Sequence, residues 1–113
     1  MDKAEMLQLI LDSIPYPIVF ADENHIIRFL NKTARFHYYK MRGYKNLLGK
    51  SLLSCHNKDS QEKIIKAADK LKNHSNEIYA GVVGNNRLYI NPVRNEAGDL
   101  VGYFERYEMN LQK

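Results

Sequence analysis

A single cysteine, Cys55, stands in a chain of 113 residues, so no internal disulfide can form. That usage fits a reducing compartment. No apolar run approaches the ~20 residues of a membrane span, and Met1-Asp2-Lys3 opens no signal peptide. The expectation is a cytoplasmic protein with no membrane partner. Without a secretory route, the glycosylation-like triplets Asn31-Lys32-Thr33 and Asn73-His74-Ser75 carry no meaning. The chain has no internal repeat, no low-complexity segment, and no kinase, cyclase or helix-turn-helix pattern. It therefore names no output partner.

Zinc chemistry lacks its ligands, because there is neither a second cysteine nor a His-x3-His pair. No convergent set of acids and bases marks an active site, so an enzyme is not expected. Charge of one sign is not concentrated either. The net charge of +4 comes from 17 basic against 13 acidic residues spread along the chain. The densest cluster, Lys63, Lys66, Lys70 and Lys72, reads as the solvated face of a helix rather than a nucleic-acid stripe.

What is present suits one domain over residues 1–113, with a helix at 3–14 and a core at 16–108. A domain of this size buries somewhat under ~70% of its unfolded surface, enough for a core and one modest cavity. Met6, Leu9, Ile10 and Ile14 recur at helical spacing. Pro15 and Pro17 stop that helix near Ser13. Ile18 to Ala21 and His25 to Leu30 form a hairpin about Asp22-Glu23-Asn24. Asn31 is suited to cap a helix from Lys32, and short helical turns are expected between 34 and 48.

Lys50 to His56 reads as a connector. Asn57 or Asp59 then caps the strongest helix, roughly 60 to 72, which sets Ile64, Ile65, Ala68 and Leu71 on one face. Three strand-like runs close the chain: Glu77 to Val83, Arg87 to Arg94 and Leu100 to Glu108. Their turns fall at Gly84-Asn85-Asn86 and at Asn95 to Asp99. The order predicts an α+β domain with an antiparallel sheet. Such a layout holds a ligand or a partner more often than it runs a reaction.

These residues resemble the PAS domain family of sensor modules. Leu11-Asp12-Ser13-Ile14-Pro15-Tyr16-Pro17-Ile18 is similar to the family's opening helix and first strand, and Asp22-Glu23-Asn24 to its acidic hairpin turn. Asn31-Lys32-Thr33-Ala34 resembles the Asn-x-x-Ala helix start. Leu48-Gly49-Lys50-Ser51-Leu52 resembles the segment before the long connecting helix, and Gly98-Asp99-Leu100-Val101-Gly102-Tyr103 the final turn and strand. Within the family, Cys55-His56-Asn57 is similar to the Cys-His variant found in PAS modules attached to bacterial hemerythrin-like proteins. The resemblance implies a five-stranded sheet in the order 2-1-5-4-3, with helices packed on one face and an N-terminal cap helix. It implies a signal-transduction sensor or interaction module that binds a small ligand or a regulatory protein and often forms a homodimer.

A cavity between sheet and helices would draw on the aromatic residues Phe20, Phe29, Tyr39, Tyr79, Tyr89 and Tyr103. Leu53, Cys55, His56 and Ile65 are the other candidates. Adjacent residues on an extended segment point apart, so Cys55 and His56 do not read as a catalytic pair. Packing and helix-start hydrogen bonding come first for them, contact with a ligand second. Haem is the sharp alternative, giving a redox or gas sensor with His56 or His37 as axial ligand. The resemblance speaks against it, because haem-binding members carry the proximal histidine within the long helix. Residues 60–72 contain none, with His56 before them and His74 after.

A covalent flavin adduct is disfavoured too. The light-sensing branch puts its reactive cysteine three residues after the glycine matching Gly49, and that position is Leu52. His25 is expected to be exposed at a strand start. Arg94 and Arg106 are expected to pair with Glu96, Glu105 or Glu108 at the surface, worth little stability.

Overall fold

Three asparagine or aspartate side chains start the three α-helices of the described residues by the same device. The computed structural model describes residues 1–73, 76–83 and 85–109, without the side chains of Cys55, Val83 and Met109. Asp2, Asn31 and Asn57 sit in extended backbone, and each accepts a hydrogen bond from the amide three residues on. They cap α1 (Lys3–Asp12), α2 (Lys32–Arg35) and α3 (Lys58–Lys72). Each cap stabilises by about 1 kcal/mol. α1 stops at Asp12 rather than at residue 14. Pro15 denies Ile14 the helical region, and the Asp12 carboxylate instead accepts from the Lys32 amide at 2.8 Å.

Five strands, β1 (Ile18–Asp22), β2 (Ile27–Leu30), β3 (Ile78–Val83), β4 (Asn86–Arg94) and β5 (Leu100–Met109), form one antiparallel sheet in the order β2-β1-β5-β4-β3. The two ends of the chain thus meet at its centre, where Phe20 lies opposite Phe104. β2 begins at Ile27, not at His25. His25 takes the left-handed region at φ 64, and Ile26 makes only an isolated bridge to Ser51. The β3–β4 turn was expected over Gly84-Asn85-Asn86, and Gly84 lies outside the described residues. Between α2 and α3 run a π-helical turn, Phe36–Met41, within the stretch expected to hold short helical turns, and a 3-10 turn, Leu52–Cys55, where a connector was expected.

Strand alternation divides the sheet into two faces. Val19, Ala21, Leu30, Ile90 and Tyr103 point inward and pack under Ala34, Tyr38, Ile64, Ala68 and Leu71 from the helical middle. Each large member contributes about 1.5–3 kcal/mol by leaving water. The helices α2 and α3 cover this face, and the lysines at 63, 66, 70 and 72 stay exposed on α3 as expected.

The fully buried Asn31 ties the edges together. Its Oδ1 accepts from the Ile18 and Ala34 amides at 2.9 Å each. Its Nδ2 donates to the carbonyls of Leu11 at 3.0 Å and Tyr16 at 2.9 Å. α1 itself buries no residue, and none of the described helices is long and apolar enough to cross a membrane.

Candidate functional site

An inner cavity of about 470 Å³ opens between the first turns of α3, the π-helical turn and the inward face of β3, β4 and β5. Helical spacing decides what α3 contributes: Ser60, Lys63 and Ile64, on successive turns after the cap Asn57, all reach its wall. Ala80, Leu88 and Tyr107 supply the wall from the sheet. The π-helical turn carries one residue more per turn than an α-helix, with the Arg42 amide donating to the His37 carbonyl at 3.1 Å. That spacing brings His37 and Arg42 to the cavity together.

The electrostatics of the wall are one-sided. Arg42 lies over the rings of Tyr38 at 5.6 Å and Tyr44 at 5.1 Å, contacts that fix a guanidinium without neutralising it. Among the described residues neither Arg42 nor Lys63 pairs with a carboxylate. Burial holds the His37 imidazole below its ordinary 6.5, and the Arg42 charge adds to the effect. Behind the wall, His56 turns Nε2 toward Oε1 of the fully buried Glu105 at 3.5 Å. The Glu105 oxygens accept no hydrogen bond among the described residues.

A second, apolar groove of about 500 Å³ lies on the opposite face of the sheet, beneath the end of α1. Leu11, Ile14, Ile18, Phe20, Phe29 and Phe104 line it. Arg106 closes one side. It pairs with Glu77 at 2.9 Å and Glu108 at 3.3 Å, while its guanidinium stacks on Tyr89 at 4.3 Å. The expected partner Glu108 is therefore joined by Glu77. Arg94 donates to the carbonyls of Leu71 and Gly98.

Of the sequence candidates, His56 lines the inner cavity. The expectation that Phe20, Phe29, Tyr79 and Tyr89 sit between sheet and helices is corrected by strand parity. Phe20 and Phe29 pair across β1 and β2 on the outer face. Tyr79 and Tyr89 pair there too, rings 5.4 Å apart. Ile65 is 39% exposed, since one step along α3 turns it away from the inward position of Ile64. Tyr39 and Leu53 pack against the core, the Tyr39 hydroxyl accepting from the Leu47 amide at 3.1 Å.

Tyr103 is buried, and its hydroxyl lies 2.6 Å from His25 Nδ1. His25 is thus a partly buried polar partner rather than an exposed strand start. The Cys55 side chain lies outside the described residues. Sequence reasoning missed Arg42, Lys63 and Glu105 as members of one region. For Glu105 a signal existed: it shares inward parity with Tyr103 and Tyr107. Among the described residues, no group of three or more histidine, cysteine or acidic side chains could hold a metal ion.

A family model described as PAS domain matches residues 7–107. The fold is shared with a C-terminal domain from Streptococcus mutans at a TM-score of 0.75 and 21% identity, covering 94% of this chain and 84% of that one. It is shared with a PAS domain from Colwellia psychrerythraea at a TM-score of 0.72 and 18% identity, covering 96% and 97%. A sensory box sensor histidine kinase structure from Vibrio cholerae follows at 0.66 and 14% identity, covering 96% and 93%. No curated protein sequence matches this chain.

Proposed function

The chain belongs to the PAS domain family, and from that premise we propose that it is a signal-sensing module whose inner cavity binds a small ligand. The observation that carries the reading is the cavity itself. Polar side chains from α3 and the π-helical turn converge there on an apolar sheet wall, the composition of a ligand pocket. The module binds rather than catalyses. A ligand that fits one arrangement of sheet and π-helical turn better than another shifts the population between them. β5, which runs from the cavity to the centre of the sheet, carries the difference toward α1. A regulatory protein reads it there. The single cysteine supports a cytoplasmic setting.

The homodimer belongs to the same proposal. Met6, Leu7, Leu9 and Ile10 of α1 are all about half exposed, and an apolar groove lies beneath the end of the same helix. A second copy offers each chain a helix for its groove, an arrangement that two-fold symmetry closes. The likeness of Cys55-His56-Asn57 to hemerythrin-associated modules is also part of it, with Asn57 capping α3 and His56 facing Glu105.

The test is a thermal-shift screen of small molecules on the purified chain, paired with native mass spectrometry for retained ligands and subunit count. At least one compound raises the melting temperature, and the mass is that of two chains. A flat screen with no retained ligand removes the sensing role and leaves the interaction role.

Haem is the second reading. His37 and His56 reach the same cavity, with Arg42 and Lys63 suited to its carboxylates. Against it, Nε2 of His56 faces the buried Glu105 carboxyl at 3.5 Å, which leaves His37 as the better placed axial ligand. Bound haem would supply a redox and gas-binding iron. Absorbance in the Soret region after haem addition, lost in His37→Ala, supports it; an unchanged spectrum removes it.

A further inference from the structure

Resting on the ligand-pocket reading above, we infer that the inner cavity selects an organic oxyanion, a carboxylate or phosphate carried on an apolar body. Arg42 and Lys63 would receive the anionic end, and Ile64, Ala80 and Leu88 the body. The two cations are available for it. Asp59 lies one turn before Lys63 on α3, yet no ion pair joins them among the described residues. Arg42 is braced by two tyrosine rings and hydrogen-bonded only weakly to the Tyr44 hydroxyl at 3.4 Å. An oxyanion meeting a guanidinium and an ammonium gains charge-assisted hydrogen bonds that a neutral ligand does not.

The rest of the wall agrees. Among the described residues no carboxylate lines it. Glu105 is not a wall residue and faces His56. The Ser60 side chain, in the first turn of α3, adds a hydroxyl donor near the positive end of that helix. The outer groove offers the contrast. Its only cation among the described residues, Arg106, is already held by Glu77 and Glu108. An apolar anion therefore finds unneutralised charge on the inner side and neutralised charge on the outer.

The experiment is isothermal titration of the full chain with 2-naphthoate, 2-naphthyl phosphate and the neutral 2-naphthamide at low salt. Both anions should bind about tenfold more tightly than the amide, the difference expected of one or two charge-assisted contacts. Whichever anion binds more tightly identifies the carboxylate or phosphate source. In the double variant Arg42→Gln, Lys63→Gln the three compounds should bind alike. Both side chains are exposed, and retained amide binding reports that the pocket is intact. Arg106→Gln should leave the preference unchanged.

Equal binding of all three compounds to the wild-type chain overturns the anion selectivity and leaves the pocket reading standing. A preference that survives the double variant, or vanishes in Arg106→Gln, overturns the assignment to this cavity. Binding by none of the three overturns both readings.

Discussion

The carboxylate of Glu105, with no solvent exposure, stands 3.5 Å from Nε2 of His56 and ties the central strand β5 to the residue that leads into α3. Removing one partner leaves the other buried polar group without its neighbour, which costs about 1–3 kcal/mol. His56→Ala should therefore lower the unfolding free energy in urea by that amount. Adding Glu105→Gln to that variant should restore part of the loss, because a lone amide is less costly to bury than a lone carboxyl group. A double-mutant cycle with no coupling would show that the two residues act independently.

Asn31 offers a sharper chemical test. Asn31→Asp keeps the oxygen that caps α2 and binds the Ile18 amide. It replaces the donor facing the Leu11 and Tyr16 carbonyls with an acceptor. Two carbonyls left facing an oxygen cost about 3 kcal/mol together. Thermal unfolding should place Asn31→Asp well below the wild type, with amide exchange rising first around residues 11–18.

Gly102 on β5 is held to glycine by close approach, not by its backbone angle. A Cβ there would stand 2.4 Å from the Ala21 carbonyl oxygen and 2.6 Å from Cζ of Phe20. Gly102→Ala should cost about 1–3 kcal/mol by overpacking. Phe20→Ala would relieve the contact with the ring but not that with the backbone. The double variant should therefore not recover wild-type stability by urea titration.

His37 reports the field of the cavity. Burial first, and then Arg42, hold its imidazole below 6.5. Arg42→Gln should raise its NMR titration midpoint toward 6.5 without reaching it, since burial persists. The lowered value in the folded chain means that the unfolded chain takes the proton first. Stability is complete above 6.5 and is lost as pH falls through 6.5 toward the folded value. The loss should be smaller in Arg42→Gln, and an unmoved midpoint would show that the guanidinium does not act on His37.

Much of the fold was legible because its signals are local. Asn31 and Asn57 announce helix starts by their chemistry, and Pro15 announces a stop. Strand pairing of the two ends followed from element order together with the family resemblance. The site was less legible. Both faces of the sheet carry large apolar side chains, so aromatic identity alone could not tell inward Tyr103 from outward Phe20 or Tyr89. Parity came from the pairing register, which shifts at Phe20/Ala21, Tyr79/Gly81 and Val93/Arg94. The π-helical turn that brings Arg42 beside His37 has no signature in a single sequence.

Amide shift mapping tests the central claim most directly. The 15N-labelled chain would be titrated with the compound that stabilises it most in the thermal screen, or with 2-naphthoate. The account predicts that the perturbed amides gather around His37, Ser60, Ala80 and Leu88, on the walls of the inner cavity. Perturbations centred on Phe20 and Phe104 beneath α1, or none at saturating ligand, would contradict it.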